Sequence, residues 1–589
     1  MKTLFPIFVL LLAGTAAAQI PDTPPGRQLS AWLDAFNSGD RATLQAFFDK
    51  SIPGRTPDAG LALRAQTGGF DFRKVEESGD ARIVALLQER GPAKAFTRVT
   101  LSIAADAPDR ITGIGLQPAQ PPPELAPAPL TPAQVEAARA APPFRQFSAW
   151  LDAFNSGDRD RLAQYLAANY PSMNVDAQLN FRERSGGFEL RKIEQATPVL
   201  LVGLVQERGS DQFARFTLVV EPDEAHKITR FAIGAIPRPD EFPITRLGEA
   251  EAIAALRTKL ESDAASDRFA GAALVARIAA DGTAKVLFNE AYGLADRESN
   301  AANTTNTRFR IGSMNKMFTA VAILQLVQAG KIELDAPLGR YVKDYPNRDV
   351  ATKVTIHQLL THTGGTGDIF GPDFSAHRLE LRTHDDYVKL YGQRAPAFEP
   401  GSRWVYSNYG MVLLGVVIER VSGQSYYDYV AEHIYAPAGM TRSGSEPESE
   451  PVADRSVGYM RAPGAAGLTR NTDTLPYRGM AAGGGYSTVG DLLKFATALM
   501  GHKLLDAEHT ALLITGKVSP SPGGPMYAYG FEDARKDGAG AVGHNGGAPG
   551  MNGELRIYPQ SGYVVAVLAN LDPPAASQEF TFVDSRLPK

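Results

Sequence analysis

The chain has 589 residues, too many for one hydrophobic core, and its 44% hydrophobic and 21% charged residues match an ordinary globular protein of about three or four domains. A formal charge of −5 leaves no basic excess to attract nucleic acid or anionic lipid. With zero cysteines, disulfides, thiolate metal sites, a cysteine nucleophile and thiol-linked lipid are all excluded.

Residues 1–18 carry Lys2, an apolar run from Leu4 to Leu12, and Ala16-Ala17-Ala18 before Gln19. That order predicts a signal peptide cut near Ala18 and a periplasmic or secreted protein. The apolar run is shorter than a bilayer span, so no stable membrane insertion is expected.

Residues 19–117 form a first unit that recurs. Arg27-Gln28-Leu29-Ser30-Ala31-Trp32-Leu33-Asp34-Ala35-Phe36-Asn37-Ser38-Gly39-Asp40 returns 118 residues later as Arg145 to Asp158 with one change, Leu29 to Phe147. Gly68-Gly69-Phe70 and Gln88-Glu89-Arg90-Gly91 recur at the same offset as Gly186-Gly187-Phe188 and Gln206-Glu207-Arg208-Gly209. Duplication of this length predicts two copies of one small α+β module, at 19–117 and 144–237. Each opens with an amphipathic helix stopped by glycine and ends in strand-like runs such as Phe96 to Ile103 and Phe213 to Val220. Trp32 and Trp150 are expected in the cores, Asp40 and Asp158 as helix caps, and Glu89-Arg90 and Glu207-Arg208 as surface ion pairs. Residues 118–143 are proline- and alanine-rich and predict an extended spacer with a short helix over Thr131 to Ala141. The opening helix resembles that of the polyketide cyclase-like, nuclear transport factor 2-like cone fold. A second linker, 238–244, precedes the final segment.

In 245–589, strand-like runs lie near both ends: Ala272 to Ile278, Lys285 to Glu290, Glu554 to Tyr558 and Tyr563 to Leu568. They predict one antiparallel sheet built from both termini, flanked by helices, with a mostly helical part over roughly 320–500. Ser313-Met314-Asn315-Lys316 opens a nearly all-apolar helix closed by Gly330. Serine and lysine three apart share one helix face, and the helix start favours developing negative charge. A lysine inside so apolar a helix is costly without a purpose. Tyr406-Ser407-Asn408 and His544-Asn545-Gly546-Gly547 follow downstream. His357 and His362 lack zinc-helix spacing, and Gly483-Gly484-Gly485 lacks the lysine of a phosphate loop, so no metal and no cofactor is expected.

These three motifs, in this order, make residues 245–589 resemble the serine β-lactamase-related family, which includes class C β-lactamases, D-stereospecific peptidases and esterases. Further framing comes from Phe309-Arg310-Ile311-Gly312-Ser313, Thr355 to Gly365 and Gly483 to Thr488. The resemblance implies a β-lactamase/transpeptidase-like domain whose Ser313 forms an acyl-enzyme, with Lys316 or Tyr406 as general base. It further implies that Asn408 contacts the substrate's acyl-side amide and that the Ser313 and Gly547 N–H groups, with Gly546 beside them, form the oxyanion hole. His544 stands where many relatives carry lysine, and histidine titrates near neutrality, so a hydrogen-bond donor or proton relay is expected there. The implied substrate is a small ester or a peptide or amide of D-amino acid type. A true β-lactamase and a penicillin-binding-like sensor with little turnover are the alternatives, and the oligomeric state is left open.

Overall fold

A computed structural model describes residues 19–589 apart from 93, 105–106, 120, 123–124, 126–127, 462–466 and 522–523. The expected signal peptide lies outside the described residues. The chain divides into two compact units, residues 1–243 and 244–589.

The first unit contains the duplicated pattern twice. Helices Pro24–Ser38, Arg41–Ser51 and Asp58–Thr67 precede a four-stranded antiparallel meander, Phe70–Ser78, Arg82–Glu89, Phe96–Ile103 and Ile111–Ala119. Helices Pro142–Ser156, Arg159–Asn169 and Val175–Ser185 precede a second meander, Phe188–Ala196, Leu200–Glu207, Phe213–Val220 and Ile228–Ile236. Even the irregularities repeat: the first strand slips register between Phe72 and Lys74 and between Val75 and Glu77, and its counterpart between Leu190 and Lys192 and between Ile193 and Gln195. Such bulges bend a strand and increase its twist.

The repeated Asn-Ser-Gly-Asp has a distinct use for each of three residues. Gly39 and Gly157 end their helices at φ 69°, a backbone state that glycine adopts without steric cost. Asp40 and Asp158 accept the N–H groups of Thr43 and Arg161 at the starts of the next helices. The Asn37 amide makes both hydrogen bonds to the backbone of Phe70, at 2.7 and 2.8 Å, and Asn155 does the same for Phe188, tying helix to first strand. Trp32 stacks on Phe36 at 5.2 Å and Trp150 on Phe154 at 4.8 Å, inside the respective cores.

One expectation fails in this unit. Glu89 is buried and bonds Arg230 of the second module at 2.5 Å, while Arg90 turns to Asp71; Glu207 is half-buried and bonds Ser210. The repeated Glu-Arg pairs are therefore not surface ion pairs, because each glutamate takes a partner other than its neighbouring arginine. The short helix expected over Thr131 to Ala141 is present. Helix Pro132–Ala140, capped by Thr131 and Gln134, places Ala138 in the core of the second module.

The second unit has a seven-stranded antiparallel sheet in the order Ala284–Tyr292, Gly271–Ile278, Tyr563–Ala569, Met551–Ile557, Val542–Ala548, Glu532–Asp533, Met526–Tyr527. Its central strands are buried on both faces, as their unbroken apolar runs require. One face packs on helices Glu249–Ala265 and Ala575–Asp584. The other packs on a larger helical region that includes Asn315–Gln328, Asn408–Ser422 and Val489–Met500. This is the β-lactamase/transpeptidase-like arrangement.

Candidate active site

A single 3-10 turn, Gly312–Met314, carries Ser313 into helix Asn315–Gln328. The turn is braced from outside. The Ile311 N–H donates to the Gly485 carbonyl at 2.8 Å and the Gly484 N–H to the Gly312 carbonyl at 3.2 Å, so the glycine run beside it supports the backbone on either side of the turn that carries Ser313. Gly312 itself sits at φ 51°. Ser313 is half-buried and opens onto a groove of about 720 Å³ that Tyr406, Asn545, Gly546, Gly547 and Arg461 also line.

Lys316 is 0% exposed, one turn down the same helix face. Its Nζ lies 3.0 Å from Ser313 Oγ, 2.8 Å from Asn408 Oδ1 and 2.5 Å from the Ala482 carbonyl. Burial pulls its pKa down to about 7, with the Asp368 carboxylate opposing. Around neutrality the amine is thus available without its proton. A neutral amine has two N–H bonds and one lone pair. Two of the three neighbours, an amide oxygen and a carbonyl, can only accept, so the lone pair is left for the Ser313 hydroxyl.

Tyr406 is half-buried, hydrogen-bonded to Ser313, and the Lys316 nitrogen sits 4.7 Å above its ring. Desolvation nevertheless holds its phenol above the ordinary range, so it keeps its proton. Asn408 does not continue an extended segment from Tyr406 as its i+2 spacing suggests. Ser407 is a helix cap, accepting from Gly410 at 2.9 Å, and Asn408 is the first residue of helix Asn408–Ser422. The Asn408 amide reaches Lys316 from that helix start, with its other edge held by Asp368.

The strand Val542–Ala548 borders the groove. A side chain at Gly546 would put Cβ 2.0 Å from the Ile311 carbonyl and 3.1 Å from the Ser313 nitrogen, and one at Gly312 would come 3.0 Å from the Gly547 nitrogen. The two segments touch so closely that only glycine fits. His544 faces inward, 2% exposed, its ring centroid 6.5 Å from that of Tyr406. Burial takes its pKa down to about 4, so the expectation that it titrates near neutrality is corrected: the ring is neutral at physiological pH. Because strand neighbours alternate sides, Asn545 is the exposed residue and the one that lines the groove.

Ser313, Lys316, Tyr406, Asn408, His544, Gly546 and Gly547 are brought together around one groove. Four participants were not singled out from the motifs: the Ala482 carbonyl, Asp368, Asn545 and Tyr527, whose hydroxyl is 3.1 Å from His544 Nε2. The aromatic-glycine run Met526-Tyr527-Ala528-Tyr529-Gly530 before the last strands was the available signal for Tyr527. Among the described residues no cluster of histidines and carboxylates could hold a metal ion, and no helix is long and apolar enough to cross a membrane.

Residues 256–585 match the beta-lactamase family. The chain is 30% identical over 303 residues, 51% of this chain and 70% of the relative, to a protein of Bacillus subtilis in the penicillin-binding group. Over 180 residues, 28% of this chain and 46% of the relative, it is 34% identical to esterase EstB of Burkholderia gladioli. The crystal structure of a penicillin-binding protein from Bacillus halodurans superposes with a TM-score of 0.51 at 34% identity, covering 56% of this chain and 99% of that one.

Proposed function

The chain belongs to the beta-lactamase family, and on that premise we propose that it is an exported serine hydrolase that forms an acyl-enzyme through Ser313 on an ester or a D-amino acid type amide. The observation that carries this reading is the environment of Lys316. A buried amine with a pKa of about 7, two N–H bonds already committed and a lone pair beside Ser313 Oγ is a general base poised for that hydroxyl.

In the proposed sequence, Lys316 takes the Ser313 proton as Oγ attacks the carbonyl carbon. The Ser313 and Gly547 N–H groups receive the oxyanion. Tyr406, protonated and hydrogen-bonded to Ser313, is placed to pass a proton to the leaving group as the tetrahedral intermediate collapses, and the proton that Lys316 took from Ser313 replaces it, so that Tyr406 is again a phenol and Lys316 again a neutral amine. Water then attacks the ester, with Lys316 again as base. Asn408 holds the lysine through its amide oxygen.

An ester or uncharged amide is favoured over a β-lactam because strand Val542–Ala548 contributes a buried, neutral imidazole where a fixed cation would serve a substrate carboxylate. The likeness to an esterase supports the same direction. We further propose that residues 1–18 direct export and that 19–117 and 144–237 are tandem modules of one cone-like fold, joined by 118–143 and followed through 238–244 by the hydrolase at 245–589. The decisive experiment is mass spectrometry after a fluorophosphonate probe, followed by a panel of nitrophenyl esters, D-amino acid amides and a chromogenic cephalosporin. Labelling of Ser313, lost in Ser313→Ala, with turnover of esters or D-amides is expected. Labelling of a different serine sinks the assignment.

A further inference from the structure

Behind the groove runs a buried line of hydrogen bonds that the proposed chemistry does not use. The Ser407 N–H is 3.3 Å from His362 Nδ1. His362 Nε2 is 2.9 Å from the Tyr527 hydroxyl, and that hydroxyl is 3.1 Å from His544 Nε2. His544 Nδ1 is 2.5 Å from the Asn545 carbonyl. His362, Tyr527 and His544 are all 2% exposed or less.

The two ends of this line have fixed polarity. A backbone N–H can only donate, and a carbonyl can only accept. His362 Nδ1 therefore carries no proton, which puts the ring's proton on Nε2, donating to Tyr527. At the other end His544 must carry its proton on Nδ1 to donate to Asn545, which leaves Nε2 to accept from Tyr527. The phenol then donates one way and accepts the other, and every site is satisfied. Only one arrangement of protons does this with neutral rings. Burial disfavours the charged form of both imidazoles, and Lys316 and His544 add to that for His362, while Glu532 opposes it at His544.

We propose that His362 and Tyr527 are positioning residues: together with His544 they form a one-way hydrogen-bonded brace that fixes the segment carrying Tyr406 against the strand carrying Gly546 and Gly547. Its ends are informative. Ser407 directly follows Tyr406, and Asn545 directly precedes Gly546. The brace thus sets the separation between the proton donor and the oxyanion backbone on opposite sides of Ser313. Both nitrogens of His544 are occupied in it, so His544 acts through the brace and the substrate-facing polar group of its strand is Asn545.

This inference rests on the acyl-enzyme reading for its effect on rate, but its proton arrangement is read without turnover. In protein labelled with ¹⁵N-histidine, long-range proton–nitrogen correlations at pH 7, assigned with His362→Gln and His544→Gln, should show opposite tautomers: Nε2–H for His362 and Nδ1–H for His544. The same tautomer in both rings, or an imidazolium in either, overturns the proposal. Tyr527→Phe keeps the ring and removes the hydroxyl. It should mix the tautomers and lower kcat about tenfold with KM changed less than about twofold. Wild-type tautomers or undiminished kcat in that variant also overturn it. If instead Ser313→Ala remains active while the wild-type tautomers are as stated, the nucleophile assignment fails and the brace stands.

Discussion

Asp368 grips Asn408 at two points: one carboxylate oxygen accepts the Asn408 backbone N–H at 3.1 Å and the other its side-chain N–H at 3.3 Å. With the amide nitrogen so engaged, the amide oxygen has to face Lys316. The same carboxylate raises the lysine's proton affinity from a distance. One acid therefore orients the amide and tunes the amine.

Asp368→Asn should separate these two effects. Loss of the negative charge lowers the Lys316 pKa further, so the midpoint of the rate against pH moves to lower pH. A less firmly held amide lowers the plateau, about tenfold. A pH profile of ester hydrolysis reads both, and a midpoint that moves upward contradicts the electrostatic account.

For the native protein, phosphonylation of Ser313 should rise with pH through a midpoint of about 7, the pKa of Lys316. Lys316→Ala should reduce the rate by about 10²–10⁴, and Lys316→Arg should do no better, because arginine keeps its proton. The linked stability effect has a definite sign. The unfolded lysine, near 10.5, binds a proton where the folded one does not, so stability should rise with pH from about 7 to about 10. Lys316→Met should flatten that rise in urea titrations.

Gly546→Ala tests the contact between strand and nucleophile. The added Cβ meets the Ile311 carbonyl at 2.0 Å, which forces the strand outward and misplaces the proposed oxyanion donors. A fall of about 10²–10³ in kcat is expected, the size seen when one such donor is lost. Substrate KM should change far less, and equal losses in both terms would argue against an oxyanion role.

In the first unit, Arg230→Ala should destabilise by about 3 kcal/mol or more at pH 7, since it strands the carboxylate of Glu89, which is 1% exposed. Glu89 already has a raised pKa through burial. Removing Arg230 raises it further, so the folded state holds a proton that the unfolded state releases, and the deficit should shrink as pH falls toward 4.5. Adding Glu89→Gln should recover part of the loss at pH 7. Urea unfolding followed by fluorescence of Trp32 and Trp150 measures each case.

The contact between Ser313 and Lys316 and the sheet built from both chain ends were legible because periodicity records them directly: three residues apart on a helix, alternating or unbroken apolar runs on strands. Duplication was legible for the same reason, as identical residues at a constant offset. The rest depends on groups that leave no side-chain pattern. The Ala482 carbonyl is backbone, and any residue could stand there. Which of His544 and Asn545 faces the groove depends on the strand's register against Leu555 and Glu554, not on either residue's chemistry. Glu89 reads as a surface residue beside an arginine until the fold brings Arg230, 141 positions away, against it.

Lys316 draws its neighbours from three separate stretches: its own helix, the start of helix Asn408–Ser422 and the loop at Ala482. Until all three have assembled, the amine is hydrated, fully charged and useless as a base, and the serine beside it is as inert as any other. On the proposed mechanism, reactivity at Ser313 is therefore a property of the finished native state alone, and a nascent, partly assembled or damaged copy should not be acylated there.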